Sequence, residues 1–235
     1  MSPEEYKTIV FISFVVVVLV VYFIRKELEN KRKKQIEYYS KRNGIEYSEL
    51  KLDFLPEITK EGSILLSKNG ENNAIALMSG EKNGFKYYLF DFSNSTKSGR
   101  VNNVTVKTIC IISKENIKFP HFYIRDESIL FDHIIDSKAG EDINFTEDSE
   151  FSNKFILFGA SEEKVRDFFD RGRRNTFVKK HVKGYIYEGF KNCFIVSNDK
   201  LLNINERLGF LDKCLDIFRG IVPDDNIIDD AHQKN

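Results

Sequence analysis

Tryptophan is absent from this chain, and so is any net charge: 36 basic residues face 36 acidic ones across 235 positions. A balance of zero excludes a general electrostatic pull toward nucleic acid, so any such pull has to come from a local patch. Cysteine is scarce. Cys110, Cys193 and Cys214 are odd in number and form no C-x-x-C, which excludes a disulfide framework and a zinc site and points to buried thiols in a reducing compartment. The four histidines, His121, His133, His181 and His232, have no ligand spacing. No G-x-G-x-x-G, phosphate-binding loop, G-x-S-x-G or H-E-x-x-H occurs, so no cofactor, metal or catalytic residue is expected from motifs. Gly/Ser and Pro linkers are missing too, which leaves one main domain.

What the chain does have is a long apolar run. Residues 9–24 read Ile-Val-Phe-Ile-Ser-Phe-Val-Val-Val-Val-Leu-Val-Val-Tyr-Phe-Ile, with Ser13 the one polar member. Extended back to Tyr6, it matches the roughly 30 Å hydrocarbon layer at about 1.5 Å per helical residue. Tyr6 and Tyr22 sit where amphipathic rings settle at the interfaces. A cleaved signal peptide would need a basic start and a small-residue cleavage site, and neither is present. An uncleaved signal-anchor is therefore expected.

Residues 25–42 carry eight basic side chains, Arg25, Lys26, Lys31, Arg32, Lys33, Lys34, Lys41 and Arg42, against three acids. Basic flanks stay cytosolic, which puts the N-terminus outside and the large domain in the cytoplasm, on a single pass through the inner cell membrane. The same stalk can lie against anionic lipid headgroups. With the domain inside, the N-x-Ser/Thr sequences at Asn94, Asn103 and Asn144 stay silent.

Beyond the stalk the pattern is α+β. Gly44 reads as the cap of the long helix, which is expected to be mostly solvated past the membrane. Pro56 breaks a segment in which Ile58–Leu66 is a candidate short helix. Residues 73–113 read as a three-stranded antiparallel meander turning at Asn83-Gly84. Phe119–Arg125 reads as an edge strand, because Pro120 cannot donate to a ladder. One or two helical turns are expected over Ser128–Ile135 and an acidic loop over 137–152. Lys154–Phe158 reads as a strand, and Ser161 as the cap of a helix. Tyr185–Tyr187 and Cys193–Val196 form a hairpin around a Glu188–Asn192 loop. A closing amphipathic helix with Ile204, Leu208, Leu211, Leu215 and Phe218 is ended by Gly220 and Pro223. Elements segregate rather than alternate, giving an antiparallel sheet, a meander plus a C-terminal hairpin, packed by helices. The expected organisation is a short extracytoplasmic N-terminus (1–7), a transmembrane helix (8–24), a basic helical stalk (25–44), a cytosolic domain (45–222) and a disordered tail (223–235).

Two features bear on chemistry. Asp91 stands between Phe90 and Phe92 in a strand. It is expected to face water; if it faces inward it needs a partner, with Lys107 or Arg100 as candidates. Residues 166–183 hold Arg166, Arg171, Arg173, Arg174, Lys179, Lys180 and Lys183 interleaved with Phe168, Phe169 and Phe177. Such a patch can bind anionic lipid or, less in keeping with the membrane anchor, single-stranded nucleic acid. As a plain helix face it would be solvated, with its Phe residues in the core.

The order of these elements, with Tyr88-Leu89-Phe90-Asp91-Phe92, Glu141-Asp142-Ile143-Asn144-Phe145, Glu150 through Gly159 and Val165-Arg166-Asp167-Phe168-Phe169, resembles a group of uncharacterised small bacterial single-pass membrane proteins. The resemblance spans about residues 25–220. It implies a bacterial source and brings no activity, so it assigns no catalytic residue. The leading expectation is a membrane-tethered interaction module with an unidentified protein partner. The alternatives are an anionic-lipid-binding surface at 166–183 and an enzyme whose site gathers distant residues such as Asp91, His121 and Arg125.

Overall fold

The computed structural model describes residues 2–48, 62–66, 71–82, 84–98, 101–127, 141–198 and 200–222. Expectations for most of Ile58–Leu66, for Asn83, Arg100 and His133, for the helical turns at 128–135 and for the 223–235 tail with His232 lie outside the described residues.

Helix α1 runs without a break over Pro3–Arg42. Ser2 and Glu5 close a capping box at its start, with Pro3 in the first turn. Its end is a Schellman turn: Ile45 N donates to Ser40 O and Gly44 N to Lys41 O. Gly44 supplies the positive φ of 65° that this turn needs.

Eight antiparallel strands follow: β1 (Glu46–Ser48), β2 (Glu71–Lys82), β3 (Phe85–Ser98), β4 (Val101–Ser113), β5 (Phe119–Asp126), β6 (Phe155–Gly159), β7 (Tyr185–Lys191) and β8 (Cys193–Asn198). They form one sheet in the order β1-β2-β3-β4-β8-β7-β5-β6. Among the described residues, four helices complete the domain: α2 (Ser149–Ser152), α3 (Glu162–Phe168), α4 (Arg171–Lys180) and α5 (Glu206–Ile221). The fold is α+β, with the meander and hairpin in place.

Both faces of the sheet are buried, so its central strands read as near-continuous apolar runs rather than strict alternations. One face carries Phe85, Leu89, Cys110, Ile112, Phe122, Tyr187, Phe194 and Val196 against Ile36 of α1 and Phe210, Leu211, Cys214, Leu215 and Phe218 of α5. The other carries Phe90, Phe92, Ile109, Ile111, Tyr123, Ile186 and Ile195 against Leu65 and Leu66. Because strand side chains alternate, neighbours such as Phe90 and Asp91 belong to opposite faces.

Three expectations need correction. β5 is not an edge strand; it lies between β7 and β6. Pro120 is accommodated because the β5–β7 register shifts between Phe119 and Phe122, and the β6 pairing begins only at Phe122. Glu188 is not in a loop, because β7 continues through it to Lys191. Its neighbour Gly189 is fixed by a close approach, since a Cβ there would meet the Phe122 ring at 2.1 Å. The closing helix passes through Gly220 and ends at Ile221.

Candidate functional site

The apolar helix and the sheet meet at a buried ion cluster. Through residue 31 α1 is exposed. From Arg32 onward one stripe turns inward, with Ile36 and Ser40 buried one helical turn apart. The stalk is thus docked rather than solvated over its last turns. Arg32 Nε donates to Asp91 Oδ2 at 2.7 Å and its Nη2 to the Leu202 carbonyl at 2.6 Å. Asp91 Oδ1 accepts from the Thr108 hydroxyl at 3.1 Å and from Arg207 Nη2. Thr108 Oγ1 in turn accepts from Leu202 N at 2.9 Å. Asp91, Thr108 and Arg207 are fully buried. Burial lowers the Arg207 pKa, with the Asp91 carboxylate opposing the shift and Arg32 adding to it.

Asp91 therefore faces the core, not water, and among the described residues its partners do not include Lys107. They are Arg32, 59 residues away, and Arg207, 116 away. Lys107 alternates with Thr108 and stands on the opposite face of the sheet. A carboxylate inside Tyr88–Phe92 was the sequence signal for this cluster, whereas Arg207 in a helix with an ordinary amphipathic pattern gave none.

The fold is similar to that of a mycobacterial transport factor. The crystal structure of the mycobacterial trehalose monomycolate transport factor A, TtfA, superposes with a TM-score of 0.53 over 81% of this chain and 90% of that chain, at 15% identity. At that identity the likeness shows the fold alone. No protein-family model and no curated protein matches the chain.

The seven basic residues of 166–183 are not one open surface. Arg166 donates to Glu162 at 2.8 Å and to the Asn144 carbonyl at 2.9 Å. Arg173 holds the carbonyls of Ile221 and Phe168, both at 2.8 Å, and Asp170 at 2.7 Å. Arg174 is buried on Asp148 at 2.8 Å, with Glu147 at 3.3 Å and the Phe145 ring 4.2 Å away. Lys180 pairs with Asp216 of α5 at 2.8 Å. Arg171, Lys179 and Lys183 remain exposed. Phe169 and Phe177 are buried in the core and Phe168 packs against it. The patch works mainly as a clamp between α2, α3, α4 and α5. Desolvation alone would raise the Asp148 pKa, but hydrogen bonds from Arg174 and Phe151 N outweigh it and hold the carboxyl below its usual value.

On the second face of the sheet, Glu188 is fully buried. It accepts from Ser63 Oγ at 2.8 Å, Ile64 N at 2.7 Å and Leu65 N at 3.0 Å, and from His121 Nε2 at 2.9 Å. His121 and Arg125 belong to this face and Asp91 to the other, so the three do not converge into a catalytic group. Among the described residues no group of three or more His, Cys, Asp or Glu is placed to hold a metal ion. The cysteines are free and buried, and burial pushes the Cys193 thiol up to about 11.

His181 closes α4 onto the sheet. Its Nε2 lies 3.0 Å from Asp126 Oδ2 and its Nδ1 3.2 Å from the Tyr187 hydroxyl. A carboxylate can only accept, so the neutral ring carries its proton on Nε2 and Nδ1 accepts from Tyr187. Burial lowers the His181 pKa despite the Asp126 carboxylate. The folded state then binds this proton less readily than the unfolded chain, so stability falls as pH drops through and below 6.5. Thermal melts of His181→Gln should show a shallower loss between neutral and mildly acidic pH than the parent protein; an unchanged slope would assign the loss to other groups.

Proposed function

We propose that the chain is a membrane-tethered accessory module that binds a protein partner and catalyses nothing itself. The observation that carries this reading is α1. Within one 40-residue helix, a continuous apolar stretch with no buried residue runs into a segment latched to the sheet by Arg32. Side chains from Ile9 to Ile24 are exposed to a degree that water disfavours and hydrocarbon accepts. In this reading residues 8–24 cross the inner membrane, residues 1–7 lie outside, and the 45–222 domain is cytoplasmic. Arg25, Lys26, Lys31 and Lys34, all exposed, face anionic headgroups at about 1 kcal/mol each. The role of TtfA, of similar fold, as a transport factor supports an accessory role.

The full-length protein should stay in the membrane fraction after a high-salt and alkaline wash and leave it only with detergent. A reporter fused at Asn235 should be active on the cytoplasmic side. Recovery in the soluble fraction, or a reporter exposed outside, would overturn the tether or its orientation respectively. Cross-linking of the membrane-embedded protein in cells should yield a discrete adduct.

A further inference from the structure

Outside α1, the large apolar side chains exposed among the described residues are Val104 (56%), Val106 (36%) and Leu201 (40%). All three lie at one end of the sheet. In the β3–β4 hairpin Val106 pairs with Ser93 and Val104 with Ser95, beyond the rung where Asp91 faces Thr108. The Lys200 carbonyl accepts from Thr108 N at 3.2 Å, which sets Leu201 beside the same strand. Counting in twos from Thr108, Val106 and Val104 stand on the face that carries Asp91 and α1.

That end is also where the apolar helix leaves the domain. α1 joins β1, whose Glu46 pairs with Ser79, itself opposite Tyr88 of β3. Going back along the helix, Arg32 lies over Asp91. The helix thus advances along β3 in the sense from Tyr88 to Asp91 as it runs toward the apolar segment, and the hairpin runs on in the same sense to Ser98. From Arg32 to Ile24 is roughly 12 Å of helix. From Thr108 to Val104 is roughly 13 Å of strand. The two reach out by similar lengths.

We propose that the outer part of β4, through Val104 and Val106, and the neighbouring Leu201 rest on the bilayer that α1 crosses, as a second contact with lipid. This rests on the membrane-tether reading. The exposed apolar residues are continuous with the end from which the span emerges, and Lys200 beside them is exposed and cationic. Depth is limited by the backbone. The β4–β8 ladder begins only at Ile109, and strand edges with open N–H and C=O groups do not enter hydrocarbon. The hairpin therefore lies against the surface rather than entering end-on, with Val104 and Val106 among headgroups and the uppermost chain segments. A single helix leaves a domain free to tilt; a second contact fixes which face is presented to a partner.

The absence of tryptophan makes the test clean. Three single-tryptophan variants of the full chain, Phe14→Trp, Val104→Trp and Tyr38→Trp, are reconstituted into phosphatidylcholine–phosphatidylglycerol vesicles containing brominated lipid. Val104→Trp should be quenched roughly twofold more by bromine near the headgroups than by bromine near the chain ends, as expected of interfacial depth. Phe14→Trp, in the span, should be quenched by deep bromine. Tyr38→Trp, exposed on α1 beyond the Arg32 latch, should not be quenched at all. If Val104→Trp behaves like Tyr38→Trp while Phe14→Trp is quenched, the tether stands and the hairpin contact is overturned. If Phe14→Trp is also unquenched, the tether itself fails and the inference with it.

Discussion

Asp91→Ala should lower the stability of the domain by about 3–5 kcal/mol, the cost of leaving a buried charge without its partner. Against a total stability of about 5–15 kcal/mol for an ordinary domain, that is a large share. The reason is the asymmetry of the cluster. Arg207 is fully buried, and among the described residues its side chain has, besides Asp91, only the Met78 sulfur, 3.7 Å from Nη1. Remove the carboxylate and a guanidinium remains with no anion and no water. Arg32 is placed differently. With 23% of its side chain exposed, it can rehydrate, and Asp91 keeps Arg207 and Thr108. Arg32→Ala should therefore cost less, about 1 kcal/mol, in line with a partly exposed pair. Its main effect should be on α1, whose amides past residue 31 lose hydrogen-exchange protection. Denaturant midpoints in detergent should rank Asp91→Ala well below Arg32→Ala. The double variant Asp91→Leu with Arg207→Met removes both charges and should recover most of the loss. If Asp91→Ala is as mild as Arg32→Ala, the cluster is not the joint described above.

The outline of the fold was legible because it is written in local pattern. The Val-rich run, the meander from 73 to 113, the Gly44 cap and the closing helix each follow from composition and periodicity within a few turns or strands. The polar interior was not, because its partners are far apart in sequence. Asp91 announces itself as a charge among aromatics, yet the chain offers no way to choose Arg32 and Arg207 over Lys107, which is closer and on the adjacent strand. What decides is side-chain parity, since Thr108 and not Lys107 shares the face of Asp91. β5 misled for a related reason. A proline usually marks an edge, but a register shift at Phe119–Phe122 absorbs it. The basic run at 166–183 looked like a surface because four of its seven cations meet carboxylates or carbonyls on other elements, and these partners lie more than 20 residues away in sequence.

Glu188→Ala is the second change expected to be severe. Glu188 is the acceptor for two backbone amides, a hydroxyl and the His121 ring, in a site without solvent. A buried donor left unsatisfied costs about 1–3 kcal/mol, so losing the carboxylate should cost roughly 3–5 kcal/mol unless the 62–66 segment detaches and lets water in. Either route shows in hydrogen exchange, where the Ile64 and Leu65 amides should exchange at a rate set by local opening. Glu188→Gln should fall between alanine and the parent, since one carbonyl oxygen still accepts while the new NH2 group faces donors. Lys107 supplies an independent check. Burial brings its pKa from 10.5 down to about 8, and the Glu188 charge opposes that fall. Without the carboxylate the Lys107 value should drop further. Since the folded state holds this proton less tightly than the unfolded chain, Lys107 adds a component of stability that rises with pH between about 8 and 10.5 in the parent. In Glu188→Ala that rise should begin at lower pH. An unshifted pH profile would mean that Glu188 and Lys107 do not sense each other across the second face of the sheet.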